Sequence, residues 1–483
     1  MTIAQAYSLH PQAVEKAIEE EMSNMILKGV FGMVPKGENI PGSLIIPSKF
    51  FIKDKGSDGN VELKGRFVGD GHRENEHIYE RKSSPTASSS TIFITLADAA
   101  EKKKSILVDD VHCAYLNASR GDLPKVYGIL GKEMTAVLIM MKPEYAPFVR
   151  EDETLLVEIL KGLYGLIEAG HTWYTHLTRF LCNMGFVICE YDKCVLEMGE
   201  SNLVIYMNDL LLTGPEDEIN KVFDMIEMEF GDCKRKSGPK FKFIGMNFDI
   251  KNDGVSVKID LENILDNVKG DVETPCANNI LSITEGVEAL TVDNKEKIHS
   301  VIAKLLYISK RTRPEILFGV NFLCTRVLEP TIEDAVKLGR VMKYLNGSQD
   351  DELFIKINRV ARKVVMEVFI DVSYEVHHDS KSHSGMMITM GTGTVLAAST
   401  KQKCVSKSST EAELIAVTDF LGQAIDTKNV SQEIIREEVK LIVYQDNEST
   451  INLMKNGIVG DRSKHIKIRF AWIKEAIDNG DFE

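Results

Sequence analysis

The sequence predicts a mixed α/β (α+β) protein of several domains, and three observations carry that prediction. Short apolar runs, among them Ser105–Val108, Leu203–Tyr206, Leu210–Thr213 and Val439–Tyr444, are bounded by turn residues, as strands are. Other stretches carry the i, i+3, i+4 apolar spacing of helices, clearest in Val14, Ala17, Ile18, Met22, Met25 and Ile26. The length of 483 residues suits two to four domains, at roughly 100–200 residues each. With 43% apolar and 27% charged residues, the chain can bury sizeable cores.

Residues 11–30 read as an amphipathic helix with Glu15 and Glu19–Glu21 mostly off its apolar face. Two strands follow, Ser43–Ile52 and Leu63–Val68, joined by a link whose Asp58-Gly59-Asn60 is a turn signal. Ser105–Val108 is a strand that runs straight into paired aspartates, and Trp173–Leu181 has helical spacing. Leu203–Tyr206 and Leu210–Thr213 are separated only by Met207, Asn208 and Asp209, which predicts a tight hairpin. Lys295–Arg311 and Ile332–Leu345 are helices with Pro314 and Pro330 as boundaries. The polar stretch Asn346–Glu352 marks a domain border. Beyond it come strands Val364–Val372, Gly385–Met390 and Thr394–Ser399, a helix from Thr410, the strand Val439–Tyr444 and a helix past Asp446. Such an order predicts a smaller α/β domain at the end of the chain.

Composition narrows the function classes. No stretch reaches the roughly 20 apolar residues of a membrane span; Leu203–Leu212 is short and holds Asn208 and Asp209. The N-terminus lacks the basic-then-apolar order of a secretory signal, so the expected place is inside the cell, cytoplasmic and nuclear. The eight cysteines form neither a disulfide framework nor a Cys-x-x-Cys zinc pair and read as reduced structural thiols. His377, His378 and His383 lie in a polar stretch and are expected to be solvated. A net charge of −14 is the wrong sign for a simple nucleic-acid binder, although basic clusters occur at Arg81–Lys82, Lys102–Lys104, Lys234–Lys236 and Lys401 to Lys407.

Three places put a carboxylate in or just after an apolar strand: Asp109–Asp110 after SILV, Asp209 in VIYMNDLLL, and Asp371 within VFIDVS. Acids at strand ends and hairpin tips can converge on a divalent cation, which takes oxygen ligands and assists phosphoryl displacement. Taken singly, each reads as a turn-forming aspartate.

In order along the chain, VDDVHCAYLN, LKGLYGLIEAGHTWY, LVIYMNDLLLTG, KFIGMNFDI and LLYISKRTRPEI resemble the reverse transcriptase of copia-type LTR retrotransposons. LKGRFVGDG and SSPTASSSTI resemble that family's fingers, and GRVMKYLNGS its connection helix. KQKCVSKSSTEAELIA, VYQDNESTINL and RSKHIKIRFAWIKE resemble the attached ribonuclease H domain. The resemblance implies a right-hand polymerase of palm, fingers and thumb followed by a ribonuclease H-like domain. Its expected division is fingers and palm at 1–250, a helical thumb or connection at 251–350, and the ribonuclease H-like domain at 351–483.

Carried over position by position, the resemblance makes Asp110 the first catalytic aspartate and Asp209 its partner in the hairpin. Lys64 and Arg66, with Tyr164 and Gly165, match nucleotide-binding segments. Asp371, Glu413 and Asp446 match the ribonuclease H acids. Implied with them are magnesium at two-metal sites, deoxynucleoside triphosphates, an RNA template and an RNA–DNA hybrid. No membrane partner is implied, and nothing in the sequence sets an oligomeric state. Glu413 has a second reading, because Thr410-x-x-Glu413 is a capping-box pattern. Asp446, followed by Asn447, has a second reading as a strand-to-helix turn, but three acids at matching places favour the metal reading.

The departures from the family pattern are informative. Asn208 stands where the family has the first Asp of Tyr-x-Asp-Asp, and an amide supplies no negative charge to a cation. Glu168, Ala169, Gly170 and His171 replace the usual Gln-Ala-Pro-Arg, removing a rigid bend and a phosphate-capable cation. Lys467 stands where the family usually has an acid. The expectation is a decayed polymerase site beside a better-kept ribonuclease H site, the alternative being a catalytically inactive nucleic-acid- or protein-binding remnant.

Overall fold

A computed structural model describes residues 3–54, 56, 61–74, 77, 79–231, 233–456 and 464–483. The N-terminal helix Pro11–Leu27 opens with proline at its first position, where the missing N–H costs nothing. Its apolar face buries Val14, Ala17, Ile18, Met22 and Met25 beside the strand Leu63–Gly69. Glu21, on the same face, accepts the Phe67 backbone N–H at 3.0 Å, and burial raises its pKa.

The expected single strand Ser43–Ile52 is instead three pieces. Gly42–Leu44 is a 3₁₀ turn, Ile45–Ile46 pairs parallel with Tyr127–Gly128, and Ser48–Asp54 pairs with Leu63–Gly69. Pro47, which has no N–H to give a ladder, lies at the switch. The Asp58-Gly59-Asn60 turn lies outside the described residues.

The central sheet has six strands in the order Lys236–Ser237, Ser105–Asp110, Asp209–Gly214, Ser201–Tyr206, Val195–Met198, Val187–Ile188. One face, with Leu107, Leu203, Ile205, Leu210 and Leu212, packs on Trp173, Leu177, Leu181, Ile219, Val222 and Phe223. These come from helices Ala169–Asn183 and Glu216–Phe230. The other face, with Ile106, Val108, Val204 and Leu211, belongs to the core that includes helix Ser89–Glu101. Cover on both faces explains why these strands read as unbroken apolar runs rather than alternating ones.

Helices Val292–Ser309, Leu317–Cys324 and Ile332–Gly347 follow, the last opened by a Thr331–Asp334 capping box. Strands Lys240–Phe243, Met246–Ile250, Val255–Lys258, Leu353–Ile357 and Gly391–Thr392 form one sheet. The stretches 250/251 and 350/351, where the sequence places domain borders, lie within or beside that sheet.

In the C-terminal part, strand Lys363–Ser373 pairs antiparallel with His383–Thr389, which pairs in turn with Thr394–Lys401. Val439–Tyr444 adds parallel to Lys363–Ser373, and the long helix Ser409–Ile435 packs against it. The far end of that helix docks on the central sheet. Asn202 Nδ2 donates to Ile434 O at 2.9 Å and Lys102 Nζ to Ile435 O at 2.8 Å, while Arg359 bridges Glu101 and Glu437.

Two sequence expectations are corrected here. His377 and His383 are not solvated: both are buried, hydrogen-bonded to each other at 2.9 Å, and His383 bonds Ser399 Oγ at 2.7 Å. His383 begins a strand whose neighbours cover it, and only His378 is exposed. The thiols are free, but only Cys113, Cys189 and Cys194 are buried; Cys182 and Cys404 are exposed. Among the described residues, no helix is long and apolar enough to cross a membrane.

Candidate functional sites

The hairpin Ser201–Tyr206/Asp209–Gly214 turns on Met207 and Asn208, with Met207 at φ 58°. Trp173 Nε1 donates to Met207 O at 2.9 Å and Val111 N to Asn208 O at 3.0 Å, so the tip is held from two sides. Asp209 belongs to the second strand, and antiparallel pairing sets it directly opposite Asp110. Its carboxyl is pushed up to about 6, first by burial, then by Asp110 and Asp109. Asn208 Nδ2 donates to Asp110 Oδ1. The tip therefore gathers two acids and one amide, and the amide already occupies an oxygen of Asp110.

Asp109, the residue before, pairs with Leu210 and is buried, which raises its pKa. Strand alternation turns it to the opposite face from Asp110. It cannot replace the charge missing at Asn208.

Lys64 and Arg66 share one face of strand Leu63–Gly69, half-buried and exposed respectively. The Arg66 guanidinium lies 5.0 Å from the Tyr164 ring centroid, and Tyr164 meets Tyr115 edge-on at 5.2 Å. Gly69 N donates to Tyr164 O at 2.9 Å. Gly165 has φ +88°, and a Cβ there would stand 2.1 Å from Gly69 O, so this close approach requires glycine. Arg66, Tyr164 and Gly165 are thus brought together toward the end of this strand, while Lys64 lies near its start.

Glu168 forms a buried ion pair with Arg120, which also donates to Pro124 O at 2.7 Å. No motif had pointed to Arg120. The signal available was a carboxylate where the resembled pattern has an amide, which implies a buried cation nearby. Gly170 and His171 sit in the first turn of helix Ala169–Asn183.

The second constellation lies in the C-terminal part. Asp371 is in strand Lys363–Ser373, Glu413 in the first turns of helix Ser409–Ile435, and Asp446 just past strand Val439–Tyr444. One carboxylate oxygen from each lies within 4.8 Å of the others. Among the described residues, this is the one group of three or more potential metal ligands that meets so closely.

Glu413 is buried, Asp371 and Asp446 exposed. Burial pushes the Glu413 carboxyl up to about 7; Asp371 and Asp446 add to the rise, and a 3.1 Å hydrogen bond from Gln445 Nε2 opposes it.

The two structural roles that could have claimed these acids belong to neighbours. The helix is capped two residues earlier than Thr410-x-x-Glu413 suggests: Ser408 accepts from Glu411 N at 3.2 Å. Asn447, not Asp446, caps the next helix by accepting Thr450 N at 2.9 Å. Three like charges with no cap to serve fit a divalent cation, whose hard oxygen-loving chemistry they match. Lys467 lies in helix Lys464–Asp478, but its side chain is outside the described residues.

The sequence profile of the reverse transcriptase (RNA-dependent DNA polymerase) family matches residues 35–284, more than half of the chain. The chain belongs to that family.

The copia-type kinship expected from the motifs is borne out by the relatives of this reverse transcriptase. The Pol polyprotein of transposon TNT 1-94 from Nicotiana tabacum is 27% identical over 97% of this chain and 35% of its own length. That of transposon RE1 from Arabidopsis thaliana is 25% identical over 89% of this chain and 29% of its own. The Ty1-DR6 Gag-Pol polyprotein of Saccharomyces cerevisiae is 22% identical over 85% and 23%. The reverse transcriptase chain spans about a third or less of these curated relatives.

Two foamy viral protease–reverse transcriptase structures share its fold. One, in complex with double-stranded DNA, gives a TM-score of 0.52 at 12% identity, covering 97% of this chain and 68% of that one. The other, with an RNA/DNA hybrid, gives 0.53 at 10% identity, covering 97% and 53%. The expected fold class, a right-hand polymerase with a ribonuclease H-like region after it, agrees with this likeness. Asp110 and Asp209 lie inside the residues matched by the family profile; Asp371, Glu413 and Asp446 lie beyond them.

Proposed function

We infer that this chain is the reverse transcriptase and ribonuclease H region of a retrotransposon Pol polyprotein, with its polymerase site weakened at Asn208. The observation that carries the reading is the meeting of Asp371, Glu413 and Asp446 within 4.8 Å. Three carboxylates are the donor set that magnesium takes, and a bound cation pair there would supply charge stabilisation for cleaving a phosphodiester of an RNA–DNA hybrid. Asp371 and Asp446, exposed, would hold the ions at the solvent side. Glu413, fixed by Gln445, would hold them from the buried side.

At the polymerase hairpin the donor set fits less well. Asp110 and Asp209 would share two cations and a deoxynucleoside triphosphate with an amide in place of the third acid, and that amide is bonded to Asp110. Lys64 and Arg66 remain available for the triphosphate and Tyr164–Gly165 for its seat, opposite an RNA template. The work of such a chain is on nucleic acid inside the cell, cytoplasmic and nuclear.

The test is a magnesium-dependent assay of hybrid cleavage and of primer extension on an RNA template with the purified chain. Expected are cleavage of the RNA strand, lost in Glu413→Gln, and primer extension at background. Asn208→Asp alone should restore little, because Gly170 and His171 remain. Robust extension by the unmodified chain would overturn the weakened-site reading. Hybrid left intact by a folded chain would overturn the ribonuclease reading.

A further inference from the structure

The open face of the ribonuclease H-like sheet carries a feature that the acid cluster does not account for. Phe369 and Tyr444, cross-strand neighbours in the parallel pair, stack with centroids 4.8 Å apart and planes 7° from parallel. Both rings are substantially exposed, 39% and 42%. The Tyr444 hydroxyl donates to Glu367 Oε1 at 2.9 Å, so the ring is fixed at its tip as well as on one face. Val439–Tyr444 pairs with Lys363–Ser373 on one side; on the other, Val443 N donates to Glu483 O at 2.8 Å and Glu483 N to Leu441 O at 2.9 Å, and Tyr444 lies past these bonds at the sheet edge.

The rings also border a cleft of about 810 Å³, lined among others by Pro314, Leu317, Phe318, Met387 and Ala397 and reaching Asp371 and Asp446. Each aromatic residue precedes an acid of the cluster by two positions. Two residues of strand span about 7 Å, comparable to the reach from a phosphate to the base of the same nucleotide. A rigid, exposed aromatic surface at that distance from a phosphate-handling site is the arrangement that binds unpaired bases.

We propose that the face of Tyr444 turned to the sheet edge is a nucleobase subsite, in which Tyr444, backed by Phe369, stacks an unpaired base of a nucleic-acid strand whose phosphate lies at the acid cluster. The proposal rests on the ribonuclease reading for the phosphate end, and on the exposed aromatic pair for the base. A cross-strand aromatic pair that merely stabilises the sheet would give the same static contact, so binding must decide.

The experiment uses the full chain and a short single-stranded oligonucleotide carrying one 2-aminopurine, whose fluorescence is quenched on stacking, with calcium replacing magnesium to keep the strand uncut. Tyr444→Leu should abolish the quenching and weaken binding on the order of 5- to 100-fold, while Tyr444→Phe should stay within about 2-fold. Phe369→Leu should fall between them. An oligonucleotide with an abasic site in place of the 2-aminopurine should bind as weakly to the unmodified chain as the intact one does to Tyr444→Leu.

Unchanged quenching and affinity in folded Tyr444→Leu, or equal binding of the abasic strand, would overturn the proposal. Tyr444-dependent quenching without hybrid cleavage in magnesium would leave the base subsite standing and remove the ribonuclease reading. Cleavage without Tyr444-dependent binding would do the reverse.

Discussion

Glu413→Gln should stabilise the cation-free protein at alkaline pH while removing its response to magnesium. A buried carboxyl at about 7, against an ordinary 4.5, is protonated more readily in the folded chain than in the unfolded one. The folded state then binds the extra proton between those values, so stability falls as pH rises from about 4.5 to about 7 and stays low above. At about 1.4 kcal/mol per pH unit, the full loss is on the order of 3 kcal/mol. Glutamine keeps an acceptor for Gln445 Nε2 but carries no charge, so most of that loss should be recovered in the variant at pH near 8. Below the ordinary carboxylate range the two proteins should be equally stable. Magnesium should reverse the order, stabilising the unmodified chain and leaving Glu413→Gln unmoved, because the cation neutralises the three acids that repel one another. Urea denaturation at acid and alkaline pH, with and without magnesium, measures all four cases. A pH-independent unmodified chain, or a Glu413→Gln variant less stable than it in alkaline cation-free buffer, would refute the reasoning.

Gly165→Ala places a Cβ against Gly69 O at a positive φ; a loss of about 2–4 kcal/mol in urea denaturation is expected, with no such loss at Gly42, which has open space and no positive φ. Arg120→Met leaves Glu168 charged, buried and unpaired, which should cost about 3–5 kcal/mol, and adding Glu168→Gln should recover most of it. A double variant as unstable as the single one would contradict the ion-pair account. Arg359→Met removes the bridge between Glu101 and Glu437; faster hydrogen exchange is expected around residues 98–104 and 433–437, with the difference from the unmodified chain shrinking in high salt.

Much of the fold was legible because local chemistry and tertiary context agree there. The hairpin around Met207 and Asn208, the strand Val439–Tyr444, and the helix start at Ile332 after Pro330 were readable from apolar runs, turn residues and the proline boundary alone. Where the reading failed, a distant partner decided the outcome. Ile45–Ile46 and Ser48–Asp54 form one apolar stretch in sequence but two strands in space, because the first pairs with Tyr127–Gly128 and the second with Leu63–Gly69. His377 and His383 sit among polar residues in sequence, yet each finds the other and Ser399 in the fold, and three hydrogen-bonding groups bury together where one alone would not. Arg120 and Glu168 are a case of the same kind.

The candidate sites were legible as residue types but not as electrostatic states, and the difference changes what each can do. Asp110 and Asp209 meet across the ladder as the pattern requires. At their tip, however, Asn208 donates to Asp110, so one acid is already satisfied without a cation and the remaining charge density is low. At the C-terminal cluster no cap or amide fully relieves the acids, because Ser408 with Glu411 and Asn447 with Thr450 take the structural roles. Gln445 supplies a single bond to Glu413. Two sites with similar acids therefore differ in how much a divalent cation gains by binding. The magnesium dependence of this chain should reside chiefly at Asp371, Glu413 and Asp446. Asn208→Asp, which both adds a charge and frees Asp110, is the substitution that would shift part of it to the hairpin.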